Sequence, residues 1–245
     1  MVHKLALIAV LGLTGSAICM GAAAAIGGRE FGKNWDGMDF SMFGDRPRCE
    51  KVDGATATSR DLDWDGSDHF SLAVPGHATY TPSSDNKVHV SGDAQLLAHL
   101  RVRDGRLEMN CRNYWRGDTD ALTVTLPGQE FKKFGIAGSG NLVLSKLDQM
   151  TVRLNIAGSG SIKADGKVEH TEVHIAGSGD ADLSHVKTNV ASVHIAGSGN
   201  TDIAPSDEAD IHIAGSGDVN LHSNPKKLET HIAGSGRIHN ISSGG

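Results

Sequence analysis

The phrase IAGSG begins at Ile136, Ile156, Ile175, Ile195, Ile213 and Ile232, at intervals of 20, 19, 20, 18 and 19 residues. A period this regular marks a repeat array, in which each unit buries its apolar face against the next copy. The unit follows from the alternation around the phrase. Val173, Ile175, Gly177, Gly179, Ala181 and Leu183 fall on one side, and His174, Ala176, Ser178, Asp180 and Asp182 on the other. That is a period of two, hence strand; a helix would need apolar residues three and four apart. The copy at Ile213 agrees, with Ile211, Gly215, Gly217, Val219 and Leu221 against His212, Ala214, Ser216, Asp218 and Asn220.

About 19 residues at roughly 3.3 Å each trace a path of order 60 Å, which suits one coil of a β-solenoid; a propeller blade takes about 40 residues. The expected fold is therefore all-β, a parallel β-solenoid with coils of about 19 residues. Each IAGSG then lies in register on its own copy at the roughly 4.8 Å strand spacing. The two glycines of each copy permit positive φ and a close backbone approach where a coil bends. A calcium β-roll is disfavoured, because the acid after the second glycine gives way to Asn141, Ser161, Asn200 and Arg237 in four of six copies. A phosphate loop is excluded, since no GK[ST] and no helix follows the glycines.

Upstream, residues 1–25 carry Lys4, an apolar run from Leu5 to Ile18 and small residues from Gly21 to Ala25. These are the parts of a secretory signal peptide, so export to the periplasm, the outer cell envelope or the medium is expected, with no transmembrane segment left after cleavage. An uncleaved anchor is the alternative, the run being borderline in length for a membrane span. Residues 26–47 mix Gly, Asp and scattered aromatics without a period and read as a flexible spacer. From residue 48 short alternating stretches closed by Gly, Pro or Asp, namely 70–76, 87–93, 105–109 and 121–128, read as strands and turns. Residues 48–135 are then irregular amino-terminal coils and 136–245 the six repeats of one solenoid domain, 48–245. The exported chain would keep Cys49 and Cys111, an even count that suggests a disulfide, with two free buried thiols as the other possibility.

Net charge is -6 with acids and bases intermixed. No basic stripe is present, so nucleic acid is not an expected partner. All eleven Phe, Trp and Tyr residues lie at or before Phe134, so the repeats offer no aromatic ring on which a base could stack.

Three polar columns should face outward. The first is His174, His194, His212 and His231, preceded by Asn155 and Gly135. It reads either as an exposed polar ladder or as a weak surface site for zinc, copper or nickel; a firm zinc site recruits three or four ligands, and neighbouring imidazolium charges should repel. The second column is Ser139, Ser159, Ser178, Ser198, Ser216 and Ser235. No serine there has a histidine and an acid of its own, so nucleophilic catalysis has no address. The third column runs through Asn141, Ser161, Asp180, Asn200, Asp218 and Arg237, with Asp182, Asp202 and Asn220 two residues on. Asp182 and Asp202, one coil apart, have the carboxylate separation of a retaining glycosidase, although any regular solenoid with successive acids produces that spacing.

The runs LDWDGSDHFSLAVPG at 62–76, LLAHLRVRDGRLEM at 96–109 and LTVTLPGQEFKKFGIAGSGN at 122–141, followed by repeated GSGD, resemble the putative autotransporter adhesin family with a head GIN domain. The resemblance covers about residues 48–245 and implies a right-handed parallel β-solenoid at the cell envelope. The expected function is an exported, non-catalytic adhesin or structural module that uses no cofactor and binds a surface protein or polysaccharide. The alternative is a carbohydrate-active enzyme working through Asp182 and Asp202.

Overall fold

The computed structural model describes residues 47–111 and 122–241. The signal peptide read at 1–25 and the spacer read at 26–47, Pro47 apart, lie outside the described residues. Sixteen strands form one continuous sheet that winds into a β-solenoid of about six turns. The regular part begins at β8 (Lys133–Gly138) and continues through β9 (Asn141–Gly158), β10 (Ser161–Gly177), β11 (Asp180–Gly197), β12 (Thr201–Ile203), β13 (Pro205–Gly215), β14 (Asp218–Leu221), β15 (Lys227–Gly234) and β16 (Arg237–Asn240). Every pairing within it is parallel, and Ile136, Ile156, Ile175, Ile195, Ile213 and Ile232 sit in one register column. The first five of these isoleucines are fully enclosed, whereas Ile232, on which no described strand stacks, is 44% exposed. Stacking buries the column, so the last rung keeps an apolar edge open.

The repeated glycines have two distinct causes. Gly177 has φ +127° and Gly197 φ +137°, the left-handed region that L side chains rarely adopt. The second glycine of each copy is fixed by contact. A Cβ on Gly179 would stand 2.4 Å from the Gly160 carbonyl oxygen and 2.5 Å from Ile156 Cγ2, so the coils close on each other only where that atom is missing. The phrase is written six times because the same corner is turned six times.

The amino-terminal coils depart from the parallel expectation. β1 (Ser59–Asp63) pairs antiparallel with β4 (Lys87–Gly92), and β4 antiparallel with β7 (Leu122–Thr125). β5 (Leu100–Arg103) and β6 (Arg106–Met109) form an antiparallel hairpin around Asp104 and Gly105, both at positive φ, and a turn that short can only reverse the chain. The parallel frame is already present here, since β2 (His69–Leu72) pairs with β8 and β3 (His77–Tyr80) with β9. Among the described residues one short helix, α1 (Ala94–His99), is added; Asp93 caps it by accepting from the backbone N–H groups of Gln95 and Leu96, and Leu96 and Leu97 are buried. The core at this end is aromatic. Phe70, Tyr80, Phe131 and Phe134 are buried, with Tyr80 and Phe134 ring centroids 5.0 Å apart and Trp64 edge-on to Phe131 at 5.3 Å. The described aromatics, Trp64, Phe70, Tyr80, Phe131 and Phe134, thus pack together at the end of the solenoid where small side chains do not repeat. Cys49 and Cys111 meet across this region as a disulfide with Cα atoms 4.9 Å apart.

Candidate functional site

On a strand, residues i and i+2 share a face, and parallel stacking multiplies each such pair into two adjacent ladders. One ladder is Asn155, His174, His194, His212 and His231. Beside it, two residues earlier in each coil, runs Arg153, Glu172, Ser192, Asp210 and Glu229. The imidazoles stack face to face with centroids 4.9, 4.9 and 4.7 Å apart and interplanar angles of 11°, 1° and 8°.

This corrects the reading of the histidines as an exposed polar ladder. His174 is only 2% exposed and Asn155 3%; the His212 side chain is 27% exposed, and His231 at the end is open. The period of two places a residue on the outer side, but stacked planar rings cover each other's faces, and an adjoining acid covers the edge. Glu172 Oε1 accepts from His174 Nε2 at 2.5 Å, while its Oε2 accepts from Arg153 Nε at 2.7 Å. Burial raises the Glu172 pKa, but the contacts with His174 and Arg153 outweigh it and bring it down to about 2. Among the described residues, the Nδ1 atoms of His174, His194 and His212 and one carboxylate oxygen of Asp210 are buried without a hydrogen-bond partner.

His194 has Ser192, not an acid, at its side. Burial first, and then the positive charge that His174 and His212 would carry, push its pKa down to about 4, against weaker opposing pulls from Asp210 and Glu172. The unfolded chain therefore takes up this proton first. The contribution is complete above about pH 6.5 and is lost as the pH falls towards 4, a drop of about 3 kcal/mol at most. Urea unfolding of wild type and His194→Asn at pH 7.5 and 4.5, in a chelating buffer, should show the variant losing clearly less stability between the two; asparagine already occupies this column at position 155. Equal losses would place the acid sensitivity elsewhere. Glu172 is not the source, because its linkage falls below its ordinary pKa of 4.5.

The other two columns behave as scaffold. Ser139, Ser159, Ser178, Ser198, Ser216 and Ser235 are exposed. In the third, side chains bond from coil to coil: Ser161 Oγ donates to Asn141 Oδ1 at 2.8 Å, the Asn200 backbone N–H to Asp180 Oδ1 at 2.9 Å, the Asp218 N–H to Asn200 Oδ1 at 3.1 Å and the Arg237 N–H to Asp218 Oδ1 at 2.8 Å. Asp182 and Asp202 are register partners, and both carboxylates are engaged. Asp182 accepts from Ser184 Oγ at 2.6 Å and Lys163 Nζ at 2.9 Å. Burial raises the Asp182 pKa, but Ser184 and Lys163 outweigh it and leave it at about 2. Asp202 accepts from His222 Nε2 at 2.7 Å and from Asn220 Nδ2 at 3.1 Å. A glycosidase general acid needs a raised pKa, the reverse of what Asp182 has.

Sequence reasoning missed Asp210. The histidine column alone assigned no acid, yet a carboxylate two residues before a histidine in a strand lies on its face, and Glu172-Val-His174, Asp210-Ile-His212 and Glu229-Thr-His231 all carry that signal. The ligand atoms of Asp210, His212 and His231 lie within 4.8 Å of one another.

Comparison with known proteins adds the following. A family model described as "Putative auto-transporter adhesin, head GIN domain" matches residues 71–225. The fold is similar to a crystal structure of a putative adhesin from Bacteroides fragilis NCTC 9343, at 17% identity and TM-score 0.58 over 75% of this chain and 96% of that one. Two proteins of Parabacteroides distasonis ATCC 8503 also match. One is described as a putative adhesin (17% identity, TM-score 0.49, 80% and 100% covered) and the other as a putative lipid binding protein (18%, 0.47, 78% and 100%). No curated protein matches the chain.

Proposed function

Because the chain belongs to the putative auto-transporter adhesin family with the head GIN domain, we propose that it is an exported, non-catalytic binding module of the cell envelope, whose partner is a surface protein or a polysaccharide. The observation that carries this reading is the engagement of its outer columns: the carboxylates and amides of the third column bond to the next coil, and Asp182 is held ionised by Ser184 and Lys163. Uniform ladders offer a long, repetitive contact surface rather than a cleft that could enclose a reacting bond. Among the described residues no helix is long and apolar enough to cross a membrane. The enzyme alternative receives no support from the comparisons.

The test is to immobilise the purified protein and pass separate protein and polysaccharide fractions of the envelope over it. Saturable, reversible binding to one fraction is the expected result. New reducing ends released from the polysaccharide fraction, and abolished by Asp182→Asn or Asp202→Asn, would replace this reading with the enzyme.

A further inference from the structure

We propose that the carboxy-terminal rungs of the imidazole ladder bind one divalent transition-metal ion of the zinc class through Asp210, His212 and His231. Asp210 and His212 are i and i+2 on β13, and His231 is the register partner of His212 on β15. Two ligands from one strand and a third from its neighbour make a triangle on one face. Its donor atoms already converge to within 4.8 Å. Zinc bonds of about 2.0–2.2 Å require them to draw somewhat closer, which exposed His231 can do by turning about its side-chain bonds. Two imidazoles and a carboxylate suit zinc, copper or nickel better than magnesium or calcium, which prefer oxygen throughout.

The neighbouring rungs explain why the site lies at this end. Glu172 is already held by Arg153 and His174, and enclosed His174 offers no path to an ion. Ser192 puts no carboxylate beside His194. Asp210 differs: its register partners are Ser192 and Glu229, and its Oδ1 touches His212 Nε2 at 3.1 Å without an aligned hydrogen bond. The charge around it favours a cation, since Lys227 is shared between Glu208 at 2.7 Å and Glu229 at 2.9 Å. Among the described residues no strand stacks on β15 beyond β13 and His231 is exposed, which leaves a fourth coordination position for water or a partner's ligand.

Calorimetry of the purified protein with zinc chloride at pH 7.5, and with magnesium chloride in parallel, tests the assignment. The expected result is one zinc per chain, with magnesium silent. Asp210→Asn and His231→Ala should each weaken zinc at least about tenfold, the smallest loss that removing even an outer-shell partner produces. His185→Ala, an exposed imidazole off the ladder, should not. Circular dichroism confirms that each variant keeps its strands, and His231 is exposed enough that its removal leaves the core intact. Absence of zinc binding, equal heats with magnesium, binding that survives both ladder variants, or a loss shared by His185→Ala would each overturn the proposal.

Discussion

A chain lacking residues 176–195 folds into a solenoid one coil shorter, while a chain lacking only 176–185 fails to fold cooperatively. The whole-coil deletion joins Ile175 to Ala196, the register partner of the Ala176 it removes. Ile213 then lies on Ile175 and His212 on His174, while Gly197 takes the place of Gly177 over Gly158 and keeps Gly215 on top of it, as the column pairings already dictate. Repeat stability is close to a sum over units and nearest-neighbour interfaces, so the loss is confined to about one repeat. The half-coil deletion joins Ile175 directly to Val186, two buried residues, so the alternation inverts beyond the junction and sends apolar side chains to solvent. The ten residue steps left from Ile175 to Ile195 also span only about 33 Å, well short of the roughly 60 Å path of one coil. Circular dichroism and thermal unfolding of both chains decide the matter. Comparable damage from the two deletions would mean that the repeats do not act as interchangeable coils.

The features legible in the sequence are those that repetition forces. The stacking of Ile136 to Ile232 in register follows from the period alone, because parallel coils of equal length put identical residues on top of one another. The glycines of IAGSG could be assigned to corners for the same reason. The antiparallel pairs β1–β4, β4–β7 and β5–β6 could not: alternation announces a strand but not its direction, which here depends on turns such as Asp104-Gly105. Helix α1 was hidden because Asp93 caps only six residues, too few for a helical period to show. The enclosure of His174 was invisible for a deeper reason. A period of two says which side a residue occupies, whereas burial depends on what lies one coil above, one coil below and two residues along, and those neighbours are 18–20 residues apart in sequence. Asp210 escaped by the same route. Its acid was sought in the histidine's own column, while the geometry supplies it from the adjacent one.

The second large effect belongs to the Cys49–Cys111 bridge. The bond closes a loop of 62 residues, and removing a cross-link of that length returns about 4 kcal/mol of chain entropy to the unfolded state. Three hydrogen bonds also tie down the stretch that carries Cys49: the Val52 N–H donates to Gln95 Oε1 at 2.8 Å, Gln95 Nε2 donates back to the Val52 carbonyl at 2.9 Å, and His99 Nε2 bonds the Glu50 carbonyl at 2.8 Å. All three run to α1, so reduction should loosen residues 49–52 from that helix and expose the buried leucines 96 and 97. The repeats from β9 onward are held by their own coil-to-coil stacking, so the damage begins at the amino-terminal end and a melting transition below that of the repeats should appear. Alkylation and mass spectrometry of the native protein should find no free thiol until reductant is added. Thermal unfolding of Cys49→Ser with Cys111→Ser, or of wild type in reductant, should then show the early transition. Two alkylated thiols in the native protein, or melting curves that coincide with and without reductant, would remove the bridge from the account of what holds the amino-terminal coils.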